Sequence, residues 1–277
     1  MPPLKYSPVL VRSPSQKAVL RKLMVEESSM ATTAVPAPEA QAPINHFGRI
    51  IGVFFSPKET FQSIAQRPSW ILPVVLMTVL GVIVGFCLNK RVDWREVASK
   101  RIEESSRASQ LSAEQKEQQL AMSAKISPAV AYAFGLLGPI LLAVIVGAAM
   151  LGAYNLLGGA NANFKVAIGI VSHAYVVSMV SSLLFLLILF LKPPGTVNLE
   201  NPVAANLGAF LPDGTSKTLM ALGTAVDLFS FWIISLIGLG FAAFNPKKLK
   251  IGRSISIALT VWAVYQAFHL GITFIFS

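Results

Sequence analysis

The sequence is poor in charge, in cysteine and in histidine, and each shortage removes a class of function. Only 13% of the 277 residues are charged, against about 25% in soluble domains, so a water-surrounded globule is the wrong starting point. The one cysteine, Cys87, can form neither an intrachain disulfide nor a cysteine metal cluster. With only three histidines, His46, His173 and His269, and the first of them in the N-terminal tail, a histidine metal site is not expected. Gly-x-Ser-x-Gly, His-Glu-x-x-His and a phosphate-binding Gly-Lys-Ser/Thr loop are all missing. No catalytic, cofactor or metal residue is therefore assigned, and the chain is not expected to be an enzyme. Acidic residues are scarce too, 13 against 23 Lys and Arg, which gives a net charge of +10. Most of that excess lies beside apolar runs, where positive-inside bias and anionic headgroups account for it. Nucleic acid is not an expected partner, because no basic stripe with interleaved aromatics occurs.

What is abundant is apolar sequence, 54% of the chain, and it comes in blocks. Five stretches, about 69–89, 129–157, 166–191, 219–244 and 254–276, reach or exceed the roughly 18–20 residues that cross a hydrocarbon core. Helix is the state expected of each, since a span must satisfy its backbone internally. The fold class expected is an all-α polytopic membrane protein, a five-transmembrane-helix bundle with N-terminal interfacial helices, over residues 46–277. Residues 1–45 hold no sustained apolar run and read as a disordered tail, in which Met24 and Met30 are alternative starts.

Between tail and first span, Ser56-Pro57-Lys58-Glu59 has the residues of a helix start, with Ser56 as cap and Glu59 reaching back to it. Phe47 to Gln66 then reads as two short helices lying at the membrane surface, with Arg49, Lys58 and Arg67 at headgroup level and Trp70 as an interfacial anchor. A packed N-terminal helix pair is the plain alternative. Residues 90–127 are rich in Glu, Gln, Lys and Arg and read as an exposed or interfacial helical arm, with a second cap at Ser112.

Within the spans, Asp227 is the only acidic residue, and such a carboxylate should face the bundle interior. Antiparallel register about the 245–253 turn sets it near His269, with Gln266 a turn further along. These three make a candidate intramembrane polar set, either a structural contact or a proton or ion relay. His173 reads as a satisfied interfacial histidine. Gly81-x-x-x-Gly85 and Ala143-x-x-x-Gly147 let backbones approach, and intrachain packing is the simpler use of them. With a cytoplasmic N-terminus, 13 Lys and Arg fall on the inner side and 10 on the outer. Short loops obey the rule best, and the basic 245–253 turn decides for N-terminus inside.

Several runs resemble a known family. Phe55-Ser56-Pro57-Lys58-Glu59-Thr60-Phe61, Ile64-Ala65, Arg67-Pro68-Ser69-Trp70 and Pro73 resemble the entry motif of Yip-domain (Ypt-interacting-protein) membrane proteins, prokaryotic ones in particular. Leu157-Gly158-Gly159 with Phe164-Lys165, and Asp227-Leu228-Phe229-Ser230-Phe231-Trp232 with Gly238-Leu239-Gly240, are similar to its later segments. The resemblance covers about residues 46–276. It implies a five-helix bundle with a cytoplasmic N-terminus, in a prokaryotic inner membrane. Eukaryotic relatives bind Rab-type GTPases, whereas this chain has a short plain tail and a long charged 90–127 arm. The expected function is a non-enzymatic membrane-organising or partner-binding scaffold, contacting the lipid bilayer and a protein partner or a second copy of the chain. The alternative is a small transporter or channel built on Asp227 and His269.

Overall fold

The computed structural model describes residues 44–276 apart from 104, 106, 107, 200 and 213, and before them only Ser15, Ala18, Val19, Arg21 and Lys22. The chain divides into two units, Met1–Pro43 and Ile44–Ser277. The five described positions of the first unit are helical and exposed. The rest of the expected tail lies outside the described residues.

The described residues of the second unit form α-helices, two short 3-10 turns (Ala108–Gln110 and Leu207–Phe210) and the segments that connect them. Its elements are α1 (His46–Phe55), α2 (Pro57–Gln66), α3 (Ile71–Arg91), α4 (Trp94–Glu103), α5 (Ala113–Gly158), α6 (Phe164–Ala174), α7 (Val177–Leu191), α8 (Lys217–Ala225), α9 (Leu228–Phe244) and α10 (Ile251–Phe276). Among the described residues no strand occurs, only an antiparallel bridge between Asn206 and Asp227. Four stretches are long and apolar enough to cross a membrane: α3, α5, α6 with α7, and α10. α9 is as apolar but only 17 residues long. The chain is an all-α polytopic membrane bundle.

α5 departs from the expected division into arm and span. It runs 46 residues without a break, carrying Pro128 and Pro139 inside it. Its start is the Ser112 capping box: Ser112 Oγ accepts from the Gln115 amide at 3.2 Å, and Gln115 Oε1 accepts from the Ser112 amide at 2.9 Å. Its end is Gly159 at φ 58, a left-handed conformation that suits glycine. The second half of the polar arm is thus the first part of a spanning helix, and only α4 folds back on it.

The third span bends where α6 meets α7. The Ser178 amide donates to Tyr175 O at 2.9 Å and the Met179 amide to Val176 O at 3.0 Å, a tightened turn in place of the α-helical bond. Against the expectation for 219–244, the fourth apolar stretch is two helices. α8 stops at Ala225, and α9 starts anew after Val226 and Asp227.

Helix contacts rely on close backbone approach, since lipid offers no hydrophobic drive between spans. A Cβ on Gly81 would lie 2.6 Å from Gly135 O, so α3 and α5 touch backbone to backbone there. Gly147 meets Ile168 of α6 in the same manner, and Ala143 beside it is buried. Both small-residue pairs of the sequence are used within the chain.

Most of the core sits at one end. It joins Val53 of α1, Phe61 and Ile64 of α2, Met150 and Tyr154 of α5, Ile170 and Val171 of α6, Phe241 of α9 and Ile257 of α10. The tyrosine hydroxyl donates to Ser254 O at 2.6 Å, and its ring stacks on Phe241 at 3.8 Å. Asn245 Nδ2 donates to Ala160 O at 3.0 Å and Arg253 Nη2 to Leu157 O at 2.9 Å. These bonds tie the 245–253 turn to the end of α5.

Candidate functional site

The most tightly built polar feature lies at this packed end, where α1 and α2 seat on the bundle. α1 begins at Asn45, whose Oδ1 accepts from the Gly48 amide at 2.6 Å. Positions four apart share a helix face, and α1 is apolar on two of them. Val53 points into the core, while Phe47, Ile51 and Phe55 point away from it, 66%, 61% and 82% exposed. Gly52 lets the Thr60 side chain of α2 come against the α1 backbone. Thr60 Oγ1 in turn donates to Ser56 O at 2.8 Å. Ser56 itself makes no side-chain cap, contrary to expectation; with φ −142 and ψ 59 it is the corner between the helices, and its amide closes α1 on Gly52 O.

Arg49 fixes this corner. It had been expected at headgroup level, but it is buried, with four acceptors around its guanidinium. Nη1 donates to Arg67 O at 2.8 Å and Ser69 Oγ at 3.0 Å; Nη2 donates to Ser63 O at 3.1 Å and Ser63 Oγ at 3.0 Å. Nε also reaches Ser63 Oγ at 3.2 Å. The two carbonyls lie at the end of α2, where the helix dipole is negative, and Ser63 O also accepts from the Arg67 amide at 3.1 Å, so the charge is met without a carboxylate. Burial, and secondarily the charge of Arg67, pull the guanidinium below its ordinary pKa. The planar fork is what reaches four acceptors at once. Of the other expected anchors, Lys58 and Arg67 are exposed, and Trp70 is half-buried against Val74, Met77, Ala143 and Ile168.

Asp227 does not lie inside a helix. It caps α9, its Oδ1 accepting from the Ser230 amide at 2.8 Å. Its strand-like backbone is held by Leu207 N to Val226 O at 3.1 Å and Leu228 N to Ala205 O at 3.0 Å. A carboxylate at a helix N-terminus is stabilised by the free amides and the dipole, so no partner from α10 is needed. Among the described residues no hydrogen bond or ion pair joins Asp227 to His269. His269 is exposed beside Tyr265, at 6.1 Å between rings, and Gln266 is half-buried. The polar set on which a transporter would rest is not assembled. His173, by contrast, is wholly buried rather than interfacial, its Nδ1 2.8 Å from Gly169 O.

The far end carries the arm. Arg95 of α4 pairs with both carboxylate oxygens of Glu117 at 2.6 Å, which pins α4 along α5 and raises the arginine pKa. Trp94 Nε1 donates to Asn89 Oδ1 at 2.8 Å, and Asn89 Nδ2 donates to Pro128 O at 3.1 Å. Among the described residues no group of three His, Cys, Asp or Glu is placed to hold a metal ion.

Sequence pattern missed the Arg49 clamp because its acceptors are backbone carbonyls and serine hydroxyls 14 to 20 residues away. The Asp227 cap did carry a signal: an Asp directly before an apolar run is a helix start.

Helices of this length and apolarity, with a helix pair seated on one end of the bundle, define a multi-pass membrane protein. The family model of the Yip1 domain matches residues 51–272. The chain belongs to the Yip1 domain family. No curated protein and no solved structure matches it.

Proposed function

We propose that this chain is a non-enzymatic scaffold that organises the membrane around it, acting through the α1–α2 pair. The observation that carries the reading is the outward stripe Phe47, Ile51 and Phe55 on a helix whose other face is locked to the bundle by Arg49 and Val53. A rigid apolar ridge at one end of a bundle enters one leaflet and not the other, which sets leaflet area and offers a surface to a second copy or a protein partner.

The same reading sets the N-terminus inside, in a prokaryotic cytoplasmic membrane. The segments joining helices at the packed end, 44–70, 158–165 and 245–253, hold eight Lys and Arg and a single acid, Glu59. Those at the arm end, 90–127 and 192–227, hold ten Lys and Arg against nine acids. The packed end suits the anionic inner surface. Five crossings follow if α9 spans; at 17 residues it is about 26 Å long, the short limit for a span.

The test is reconstitution of the purified chain into vesicles, sized by electron cryomicroscopy, beside a variant carrying Phe47→Ser, Ile51→Ser and Phe55→Ser. The native chain should shift vesicles to smaller diameters, and the variant should lose that shift while keeping its thermal midpoint. Equal diameters for native, variant and empty vesicles, with no protein crosslink from a photoreactive group at position 51 in cells, would overturn the reading.

A further inference from the structure

A cavity of about 500 Å³ lies at the arm end, between the last turns of α3 and α7, the helix α4 and the chain at 193–199. Nothing in the scaffold reading uses it. Five charged side chains line it, and their bonds decide what it can hold. Asp93 is occupied: its Oδ1 accepts from the amides of Arg95 at 2.9 Å and Glu96 at 3.2 Å, capping α4. Glu96 pairs with Lys100 at 2.9 Å. Arg91 commits Nη2 to the closing carbonyls of α7, at Leu189, Phe190 and Lys192, but its Nε is buried with no partner. Arg101 is exposed, and no ion pair or hydrogen bond joins it to a described residue. The acids are thus satisfied within the protein; Arg101 keeps its guanidinium donors free, and Arg91, whose Nη1 is bonded to no described residue, adds a second positive charge to the wall.

The remaining wall has an apolar side, Val92, Val97, Leu189 and Val197, and a polar stretch at Thr196 and Asn198. Beside it Phe190 and Leu191, at the end of a spanning helix, are 55% and 75% exposed. Unmet guanidinium donors bind phosphate better than any neutral group, by bidentate charge-assisted bonds. An apolar wall leading from them to the lipid-facing side of a span suits acyl chains. A free anion would leave that wall wet.

We propose that this cavity binds the headgroup of an anionic phospholipid in the leaflet at the arm end, with Arg91 and Arg101 as the phosphate donors. The site is distinct from the α1–α2 ridge, so it stands or falls separately from the scaffold reading.

The full chain in detergent, titrated with dioleoylphosphatidylglycerol, dioleoylphosphatidylcholine or inorganic phosphate and read by native mass spectrometry, tests it. One phosphatidylglycerol should be retained at least about tenfold more tightly than phosphatidylcholine. Arg101→Glu should lower that retention about tenfold with an unchanged thermal midpoint, and Arg101→Lys should keep most of it. Val97→Trp, which fills the cavity without touching its charges, should also release the lipid; if it lowers the midpoint, Arg101→Glu decides alone. Equal retention of the two lipids, or native retention by Arg101→Glu, would overturn the proposal. Displacement of the lipid by inorganic phosphate at matching concentration would also overturn it, assigning the cavity to a soluble anion.

Discussion

The two ends of the bundle are built differently from the same kinds of helix. At the packed end α1, α2, α6 and α9 bury their side chains among one another, and polar groups pin the joints: Arg49 on α2, Tyr154 on Ser254, Asn245 on Ala160. At the arm end the same long helices are poorly covered. Phe134 of α5 is 74% exposed, and Phe268 and Phe274 of α10 are 68% and 73% exposed. The arm is held by an exposed ion pair, Arg95 with Glu117. Lipid contact excuses the bare side chains, but lipid supplies no hydrogen bonds, so the polar bonds of this end lie near its connecting segments, from Arg91 to the end of α7 and from Trp94 through Asn89 to Pro128 O. A rigid base and a looser opposite end follow from that division.

The largest effect is expected where the packed end is densest. Tyr154→Ala removes a stacked ring and its hydroxyl bond to Ser254 O, and should cost about 3–5 kcal/mol of unfolding free energy in mixed micelles. Phe134→Ala at the sparse end should leave that free energy unchanged. Equal losses would erase the contrast. Next comes Arg49→Ala, which strips the acceptors of α2 and the following turn; about 3 kcal/mol is expected. Arg49→Lys should recover little of it, since an ammonium cannot span the four acceptors. Full rescue by lysine would show that charge alone matters there.

Asp227 gives a smaller and more selective effect. Asp227→Ala should cost about 1 kcal/mol, whereas Asp227→Asn should stay within a few tenths, because asparagine caps as well. Combined with His269→Ala, the costs should add within about 0.5 kcal/mol in a double-mutant cycle. A larger coupling would bring back the polar pair that the fold does not assemble. The smallest effect belongs to Arg95→Ala. Global stability should not change, but amides of 94–103 should exchange faster, and high salt should speed the native arm likewise.

Much of this architecture is legible in the apolar blocks. A run of about twenty apolar residues has one stable state in lipid, so α3, the paired α6–α7 and α10 stand within a few residues of where sequence sets them. The errors come where two signals compete. Composition divides 90–127 from 129–157, yet the backbone of α5 runs through both, with Pro128 inside the helix rather than at its start. Hydropathy joins 219 to 244, yet the helix restarts after Asp227, since capping by an acid outweighs continuing the run. The Arg49 clamp was not legible at all. A lone arginine before a short helix looks like a surface charge, and only the folded corner brings the carbonyls of Ser63 and Arg67 to it.

Everything rests on helices crossing in alternating directions, α9 included, and cysteine labelling addresses that directly. With Cys87→Ala as the background, single cysteines are introduced as Glu114→Cys, Thr196→Cys, Lys165→Cys and Lys247→Cys. An impermeant maleimide should label the first two in intact cells and the last two only after permeabilisation. Labelling of Thr196→Cys and Lys247→Cys from the same side would mean that α9 does not cross, and would contradict the account.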